Sequence, residues 1–344
     1  MDKVLAYECE PGGVVGGYGD RIVGLVAVRV LARMLGRKFR VRWTRDDLAS
    51  YFDYSSVALE TKPTLSIKMI DRPEILRNEL RQAPMPFVRN GTLPNVGISV
   101  NAEIAQYLFQ NPQFGMSYGS KEQVRERYLR EMRWAYRTLY TEMLKPTERV
   151  TKRMQEVVGD RMGLVGVQVR AGDCFMQTGL TWDERTRYMD GEDGVRAALA
   201  GVRRKLYELR DAGRVESGTG VFVTGDHPKV MALAQEVLGA QREGGDGDGS
   251  GGSEGWEVLG DDEPAQHLDR RQSDKLDQTK LYTDALVLAQ RCSVLFISEN
   301  SNFGRVAALA GGEGQAPRVG QVFGLDGRGL SELELLSKGE MVFM

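Results

Sequence analysis

From residue 164 onward, short apolar segments alternate with amphipathic stretches, and this alternation constrains the fold more than any other feature of the chain. Strand-like segments occur at residues 164–169, 220–224, 256–259, 294–298 and 319–323, and helical patterns lie between them at 195–210, 229–238, 280–291 and 303–310. Strands that alternate with helices are typical of a parallel sheet with helices on both faces. We therefore predict a doubly wound α/β sheet in this half of the chain.

The start of the chain predicts a second unit of the same kind. A strand at Val4–Cys9 leads through the glycine-rich segment Gly12–Gly19 to a helical pattern over Arg21–Leu35. Gly36 follows at the position where a glycine often ends a helix, and a further strand is expected at Lys38–Trp43. Strand, helix and strand in this order form the building block of a parallel sheet.

A length of 344 residues is sufficient for two domains. Residues 44–120 have weak periodicity, whereas 121–144 form a clear amphipathic helical pattern and a further helix is expected from Pro146 to Val158. We place the junction near 145–162, which gives Rossmann-like domains at 1–150 and 151–344. The Gly/Asp/Ser-rich stretch at 243–255 is expected to be a flexible insertion. Two Rossmann-like sheets that face each other leave one cleft between them, and we expect the functional site in that cleft.

Composition excludes several function classes. A net charge of −2 argues against broad electrostatic binding of nucleic acid. No apolar run is long enough to span a bilayer, so we expect no membrane contact from this chain. The short strand near Met1 is unlike a signal peptide. The compartment stays open: cytoplasmic if Met1 is the native start, or the Golgi lumen if an anchor preceded it.

Cysteine and histidine are too scarce for most metal sites. The three cysteines have no CxxC spacing, and His227 and His267 are the two histidines. This pattern argues against a structural zinc site and against a disulfide framework. The acidic run Asp261–Glu263 is interpreted as a solvated loop rather than a metal-binding motif. We expect no metal cofactor.

Arg170 follows the apolar segment 164–169 directly. Ligands of open α/β sheets bind at the carboxyl ends of the strands, and a guanidinium can hold two phosphate oxygens at once. The alternative is a structural ion pair with Asp173. The stretch alone favours neither interpretation.

The segment Gly16–Arg21 lies between a strand and a helix, where backbone N–H groups can bind an anion. It matches neither the GxGxxG fingerprint nor a Walker A loop. The alternative is a tight turn in which Asp20 caps the helix.

Two further turns follow strands. Asp226 could accept hydrogen bonds from the adjacent N–H groups of a guanine edge, or could cap the helix that begins after Pro228. Ser301, with the N–H groups of Asn302 and Phe303, could bind a diphosphate at a helix N-terminus. The alternative for Ser301 is ordinary N-capping. With the turn at Arg170, the turns at Asp226 and Ser301 make three in the second half of the chain that follow predicted strands. Together they predict a nucleotide site.

These residues resemble a superfamily of GDP-fucose fucosyltransferases that includes plant xyloglucan α1,2-, bacterial nodulation and core α1,6-, and protein O-fucosyltransferases. Gly16–Arg21 is similar to the family's Gly-x-Gly-Asn/Asp-Arg segment, and Val167–Arg170 to its His/Gln-x-Arg motif. Thr224–Asp226 and Ser301–Arg305 look like its donor-binding elements. The likeness covers most of residues 3–312 and is loose over 44–160.

The resemblance implies an inverting, metal-independent transfer of fucose from GDP-fucose to a glycan hydroxyl. It also implies a GT-B-like fold, with two Rossmann-like domains whose parallel sheets face a central cleft. The C-terminal domain would hold the donor, and the N-terminal domain would lie on the acceptor side. Arg170 would bind the β-phosphate and stabilise the departing GDP, and Asp20 would line the cleft as the second catalytic residue. The implied donor-binding residues are Gly17, Gly19, Arg21, Gln168, Asp226, Ser301, Asn302 and Phe303.

The chain departs from the family pattern at two positions beside Arg170. Gln168 stands where the bacterial and protein-modifying branches have histidine, and Ala171 stands where the core-type branch has a second arginine. No residue is marked as a general base, and the acids nearest Arg170 in sequence are Asp173, Asp183 and Glu184. Two alternatives stay open: a GT-B transferase for another nucleotide sugar, and a catalytically silent nucleotide-sugar or glycan-binding protein.

Overall fold

A computed structural model describes residues 3–10, 17–44, 47–68, 80–81, 95–101, 104–109, 111, 120–171, 191–240, 255–261, 277–299, 301–311 and 321–337. They form two compact units that meet in sequence between Arg149 and Val150. Each unit is built on a parallel β-sheet.

The first unit contains a sheet of four parallel strands in the order β2-β1-β5-β4, and a short antiparallel pair, β3 with β6. Its elements are β1 (Val4–Cys9), α1 (Tyr18–Met34), β2 (Lys38–Trp43), β3 (Phe52–Asp53), β4 (Leu65–Lys68), β5 (Asn95–Ser99), α2 (Ala105–Phe109), α3 (Lys121–Arg137) and β6 (Lys145–Pro146). A short 3-10 turn lies at Leu48–Ser50 and a π-helical turn at Leu139–Met143.

The second unit contains five parallel strands in the order β11-β10-β7-β8-β9. Its elements are α4 (Glu148–Val158), β7 (Leu164–Val169), α5 (Gly191–Asp211), β8 (Val221–Gly225), α6 (Lys229–Gly239), β9 (Val258–Leu259), α7 (Thr279–Gln290), β10 (Cys292–Ile297), α8 (Asn302–Leu309), β11 (Val322–Gly324) and α9 (Glu332–Ser337). Because the chain order reverses at the central strand β7, the carboxyl ends of β7 and its neighbours form the edge where such sheets bind ligands.

The central strand β7 is buried along its whole length. Val165, Val167 and Val169 belong to the apolar core, which is consistent with a strand covered on both faces. At Gly166 a Cβ would come within 3 Å of Leu295 and Cys292 side-chain atoms, so the glycine allows β10 and its neighbours to pack closely against β7. This packing fixes the position at which Arg170 leaves the sheet.

The predicted α/β fold class is confirmed by two parallel sheets with helical connections. Three details of the prediction were wrong. Helix α1 begins at Tyr18 rather than Arg21, and the long helix α3 ends at Arg137, before the π-helical turn. Pro146 pairs with Phe52 in β6, and the next helix begins two residues later. Gly36 has the predicted left-handed conformation, with φ of 62°.

Some expectations fall largely outside the described residues. Of the insertion expected at 243–255, only Gly255 is described. Among the helices that the structure describes, none combines the length and the apolar character needed to cross a bilayer.

Candidate functional site

The carboxyl ends of β7, β8 and β10 are joined by hydrogen bonds that involve the predicted site residues. The backbone N–H of Arg170 donates to Ser298 Oγ at 2.8 Å, which joins the end of β7 to the end of β10. The backbone N–H of Ala171 donates to Asp226 Oδ1 at 2.8 Å, which joins β7 to β8. Segments far apart in sequence therefore meet at Arg170.

The guanidinium of Arg170 faces the carboxylate of Asp226. Its Nε lies 3.9 Å from Asp226 Oδ2, and the side chains are 29% and 14% exposed. Arg170 is thus paired with Asp226, whereas Asp173, its partner in the alternative interpretation, lies outside the described residues. A guanidinium that is held by one carboxylate and partly exposed can still bind an anionic ligand.

Asp226 does not cap the next helix. Pro228 occupies the N-cap position of α6, and no side chain makes a capping hydrogen bond there. The carboxylate instead accepts the Ala171 N–H on one oxygen and approaches Arg170 with the other. An ionised carboxylate has about four lone-pair positions, so it can accept hydrogen bonds from more than one donor.

Ser301 lies at the N-cap position of α8, as the sequence predicted, but its side chain makes no capping hydrogen bond. The residue is buried, and its Oγ has no hydrogen-bond partner among the described residues. Its backbone N–H is used by a turn, donating to the Ser298 carbonyl at 2.8 Å. Buried hydroxyls normally have a partner, so this one is suited to a ligand or a water molecule.

The side chain of Gln168 lies against the same helix. Gln168 is 5% exposed, and its Oε1 likewise has no hydrogen-bond partner within the described part of the chain. A Cβ on Gly304 would lie 2.6 Å from this oxygen, so the glycine makes room for the Gln168 amide beside the first turn of α8. Two buried polar side chains with unused oxygens therefore lie at this helix N-terminus.

Asn302 and Phe303 form the first turn of α8 and are half-buried. The Asn302 Oδ1 accepts from Arg305 Nη1 at 3.1 Å, and Arg305 also donates from Nε to the Leu335 carbonyl at 2.7 Å. Arg305 therefore attaches α8 to the C-terminal helix α9. The Asn302 side chain is used in this attachment.

The predicted residues of the glycine-rich turn belong to the first unit. Gly17 is the N-cap of α1, and its N–H donates to Asp20 Oδ2 at 3.0 Å. Asp20 is the third residue of the helix rather than its cap, so the capping interpretation is corrected to a return bond from N3. Gly19 is buried, and Arg21 is fully buried.

Three candidate bases cannot be placed. Asp173, Asp183 and Glu184 lie outside the described residues, as does Gly16. Within the residues described, no three His, Cys, Asp or Glu side chains converge in a way that could hold a metal ion.

Beside β8 lies a group of four charges, two of them buried, that the sequence pattern did not indicate. Lys280 Nζ lies 2.7 Å from Asp284 Oδ2 and 3.1 Å from Asp261 Oδ1. Asp261 Oδ2 also accepts from Arg153 Nη2 at 2.6 Å, and Thr224 Oγ1 donates to Asp284 Oδ2 at 2.6 Å. Asp261 is therefore paired with two cations, which the interpretation as a solvated loop did not include. We call Arg153, Asp261, Lys280 and Asp284 the charge network.

Burial and charge have opposite effects on the lysine of this network. Burial alone would lower the pKa of Lys280, but the carboxylates of Asp284 and Asp261 raise it above its ordinary value. Lys280 is thus cationic. The four-residue spacing of Lys280 and Asp284 on a helix was a readable signal for this pair, whereas the Asp261 contact is long-range.

No protein-family model and no curated protein matches the chain. Among solved structures, the chain is similar to an arginine-to-lysine mutant of Arabidopsis thaliana FUT1 in complex with GDP, with 15% identity and a TM-score of 0.53; the match covers 90% of this chain and 69% of that one. Fucosyltransferase NodZ from Bradyrhizobium matches at 15% identity and a TM-score of 0.49, over 96% of this chain and 97% of that one. The chain therefore shares its fold with Arabidopsis FUT1.

Proposed function

We propose that the chain is a glycosyltransferase that transfers fucose from GDP-fucose to a hydroxyl group of a glycan, with inversion at the anomeric carbon and without a metal ion. One observation carries the proposal: Arg170, Asp226 and the N-terminus of α8 converge at the carboxyl edge of a parallel sheet. The shared fold with a FUT1 structure that contains GDP supports the choice of nucleotide. The donor site then lies in the second unit.

In this proposal the diphosphate lies at the N-terminus of α8. The helix dipole and the backbone N–H groups of a first helical turn favour a negative charge there. The unused hydroxyl of Ser301 and the backbone N–H groups of Asn302 and Phe303 would donate to phosphate oxygens. The Gln168 amide, which lies beside Gly304, would donate from its nitrogen to the same group.

Asp226 has two roles in the proposal. The carboxylate orients Arg170, from whose Nε it is separated by 3.9 Å. The same carboxylate would accept the adjacent N–H donors of the guanine edge, which a uracil base does not present in the same arrangement. This second role predicts a preference for guanine nucleotides.

The reaction is a single displacement. The acceptor hydroxyl oxygen bonds to the anomeric carbon of fucose, the bond from that carbon to the β-phosphate oxygen breaks, and the hydroxyl proton leaves to a base. Negative charge develops on the departing GDP, and the Arg170 guanidinium would stabilise it. Because Arg170 supplies this positive charge, the transfer needs no metal ion.

The first unit supplies the acceptor side in this proposal. Asp20, which is held in place by the N–H of Gly17, is proposed as the second catalytic residue. Gly17, Gly19 and Arg21 are proposed as donor-binding residues. The base is assigned to an acid of the segment after β7, where Asp173, Asp183 and Glu184 are the candidates.

Isothermal titration calorimetry with GDP and UDP tests the proposal. We expect GDP to bind and UDP to bind at least about tenfold more weakly, which corresponds to about 1.4 kcal/mol. A protein that binds neither GDP nor GDP-fucose would refute the proposal. Preference for UDP would favour another nucleotide sugar, and GDP binding without transfer to any acceptor would favour a silent binding protein.

Chelation tests the metal independence separately. Transfer should continue at an unchanged rate in excess EDTA, because the leaving-group charge is balanced by Arg170. A rate that falls with EDTA and returns with Mg²⁺ or Mn²⁺ would contradict this part of the proposal.

A further inference from the structure

The charge network lies directly against the strand that ends in the candidate site. Lys280 and Asp284 are on α7, and Thr224 of β8 donates from Oγ1 to Asp284 Oδ2 at 2.6 Å. Thr224 pairs with Gln168 in the sheet register, and the next residue, Gly225, pairs with Val169. The network therefore contacts β8 within two residues of Asp226.

The burial of Lys280 and Asp284 costs free energy, so stability alone does not explain the charge network. Asp284 and Thr224 are each 2% exposed, and Lys280 is 9% exposed. Charges lose hydration when they are buried, and well-packed apolar side chains of similar volume are often as stabilising as a buried ion pair. What apolar side chains cannot supply is a directional hydrogen bond to the Thr224 hydroxyl.

The end of β8 is held from both faces. Side chains alternate along a strand, so Thr224 and Gly225 face opposite sides of the sheet. Thr224 is bonded to Asp284 of α7, while a Cβ on Gly225 would lie 2.8 Å from Val230 of α6. The strand end therefore has little freedom to shift toward either helix layer.

Asp226 depends on this placement. Its carboxylate must meet the Ala171 N–H at 2.8 Å and approach Arg170 Nε at 3.9 Å. A displacement of the β8 end by a fraction of an ångström along the sheet would lengthen the Ala171 bond and move the carboxylate away from the guanidinium. Hydrogen bonds weaken steeply with such changes in geometry.

We propose that Lys280 and Asp284 are positioning residues, which act through the Thr224 hydroxyl to hold Asp226 and Arg170 in the geometry that binds the nucleotide. Lys280 holds the Asp284 carboxylate in place, and Asp261 with Arg153 holds Lys280 from the other side. Neither Lys280 nor Asp284 contacts the ligand in this scheme. The inference rests on the proposed function only where it assigns the strand end to nucleotide binding.

The test compares Thr224→Val with Thr224→Ser. Valine keeps the shape of threonine and loses the hydroxyl, whereas serine keeps the hydroxyl. Amide hydrogen exchange at Ala171, measured against global unfolding in urea, reports the Asp226 contact without any ligand. Thr224→Val should make amide exchange at Ala171 about tenfold faster and GDP binding about tenfold weaker. Thr224→Ser should leave both close to the wild-type values.

A second variant addresses the charges themselves. Lys280→Met combined with Asp284→Leu removes one charge of each sign, and its fold should persist because no buried charge is left unpaired between them. It should reproduce the Thr224→Val effects. Arg161→Met is the matched control, because it removes an exposed ion pair with Glu257 at the other end of the same sheet and should change neither readout.

Unchanged Ala171 exchange in both Thr224→Val and the double variant would overturn the inference. Equal effects of Thr224→Val and Thr224→Ser would also overturn it, since the hydroxyl would then not be the cause. If wild-type protein fails to bind GDP, the proposed function is refuted, while the exchange measurement still decides whether the network positions Asp226.

Discussion

The backbone N–H of Ala171 donates a hydrogen bond of 2.8 Å to Oδ1 of Asp226. Ala171 is fully buried, and the bond joins the ends of two neighbouring parallel strands. The other carboxylate oxygen lies 3.9 Å from Arg170 Nε. A single side chain therefore satisfies a buried backbone donor and orients the adjacent guanidinium, so its structural and ligand-binding roles can be separated by substitution.

Asp226→Ala should destabilise the protein more than Asp226→Asn. Alanine leaves the buried Ala171 N–H without an acceptor, which costs about 1–3 kcal/mol. Asparagine retains a carbonyl oxygen for that bond and loses only the partly exposed attraction to Arg170, which is worth less than about 1 kcal/mol. Urea denaturation of the two variants measures the difference.

Both variants should lose nucleotide affinity, because both remove the charge that orients Arg170. Glu257→Gln serves as control, since Glu257 belongs to an exposed pair with Arg161. Equal unfolding free energies for the alanine and asparagine variants would show that the Ala171 bond contributes nothing.

Arg170→Ala should lower the rate of transfer by at least about two orders of magnitude, because the guanidinium acts on charge that develops as GDP departs. The circular dichroism spectrum should stay unchanged, since the side chain is partly exposed. Arg170→Lys should recover only part of the rate, because an ammonium cannot make the paired contacts of a guanidinium. An alanine variant with a wild-type kcat would contradict the proposed role.

Local sequence pattern was sufficient to predict β7, because the strand at Leu164–Val169 is buried on both faces and reads as one apolar run. It placed Arg170 at the strand end for the same reason. It could not identify Asp226 as the partner of Arg170, because that contact depends on the strand order. The strand order brings Ala171 and Asp226, which are 55 positions apart in sequence, within hydrogen-bond distance of each other.

The first sheet was harder to predict. Strands β4 and β5 lie in the region of weak periodicity and were not recognised, although β5 pairs directly with β1. The charge network was missed for another reason. Asp261 follows a low-complexity segment and was interpreted from its local context, while its partners Arg153 and Lys280 come from distant helices.

Gly304→Ala should destabilise the protein by about 1–3 kcal/mol, because the added methyl carbon would overlap Gln168 Oε1 at 2.6 Å and Ile297 Cβ at 2.9 Å. Relief by moving the Gln168 amide would disturb the N-terminus of α8, so GDP affinity should fall as well. Gly329→Ala is the matched control, since a Cβ there meets no atom within 4 Å. Thermal unfolding and calorimetry of both variants check the prediction, and equal behaviour of the two would contradict it.

His227 follows Asp226 and is expected to titrate below the ordinary histidine range. Burial lowers the pKa of His227, and the neighbouring charge of Asp226 opposes this effect while Lys229 reinforces it. In the neutral ring, Nδ1 accepts the Lys229 backbone N–H at 3.2 Å. Proton NMR of the histidine ring should therefore show a pKa below 6.5, and Asp226→Asn should lower that pKa further.

The lowered pKa of His227 also determines the direction in which the free energy of unfolding changes with pH. Because the folded pKa of His227 is lowered, the unfolded chain binds the proton more readily, and stability rises with pH in that range. The stabilising difference is complete above about pH 6.5 and is lost as the pH falls through the folded pKa. His227→Gln should flatten this part of the urea-midpoint profile below about pH 6.5, and it also identifies the His227 resonance by its absence. A His227 pKa above 6.5, or one that Asp226→Asn raises, would refute the assigned causes.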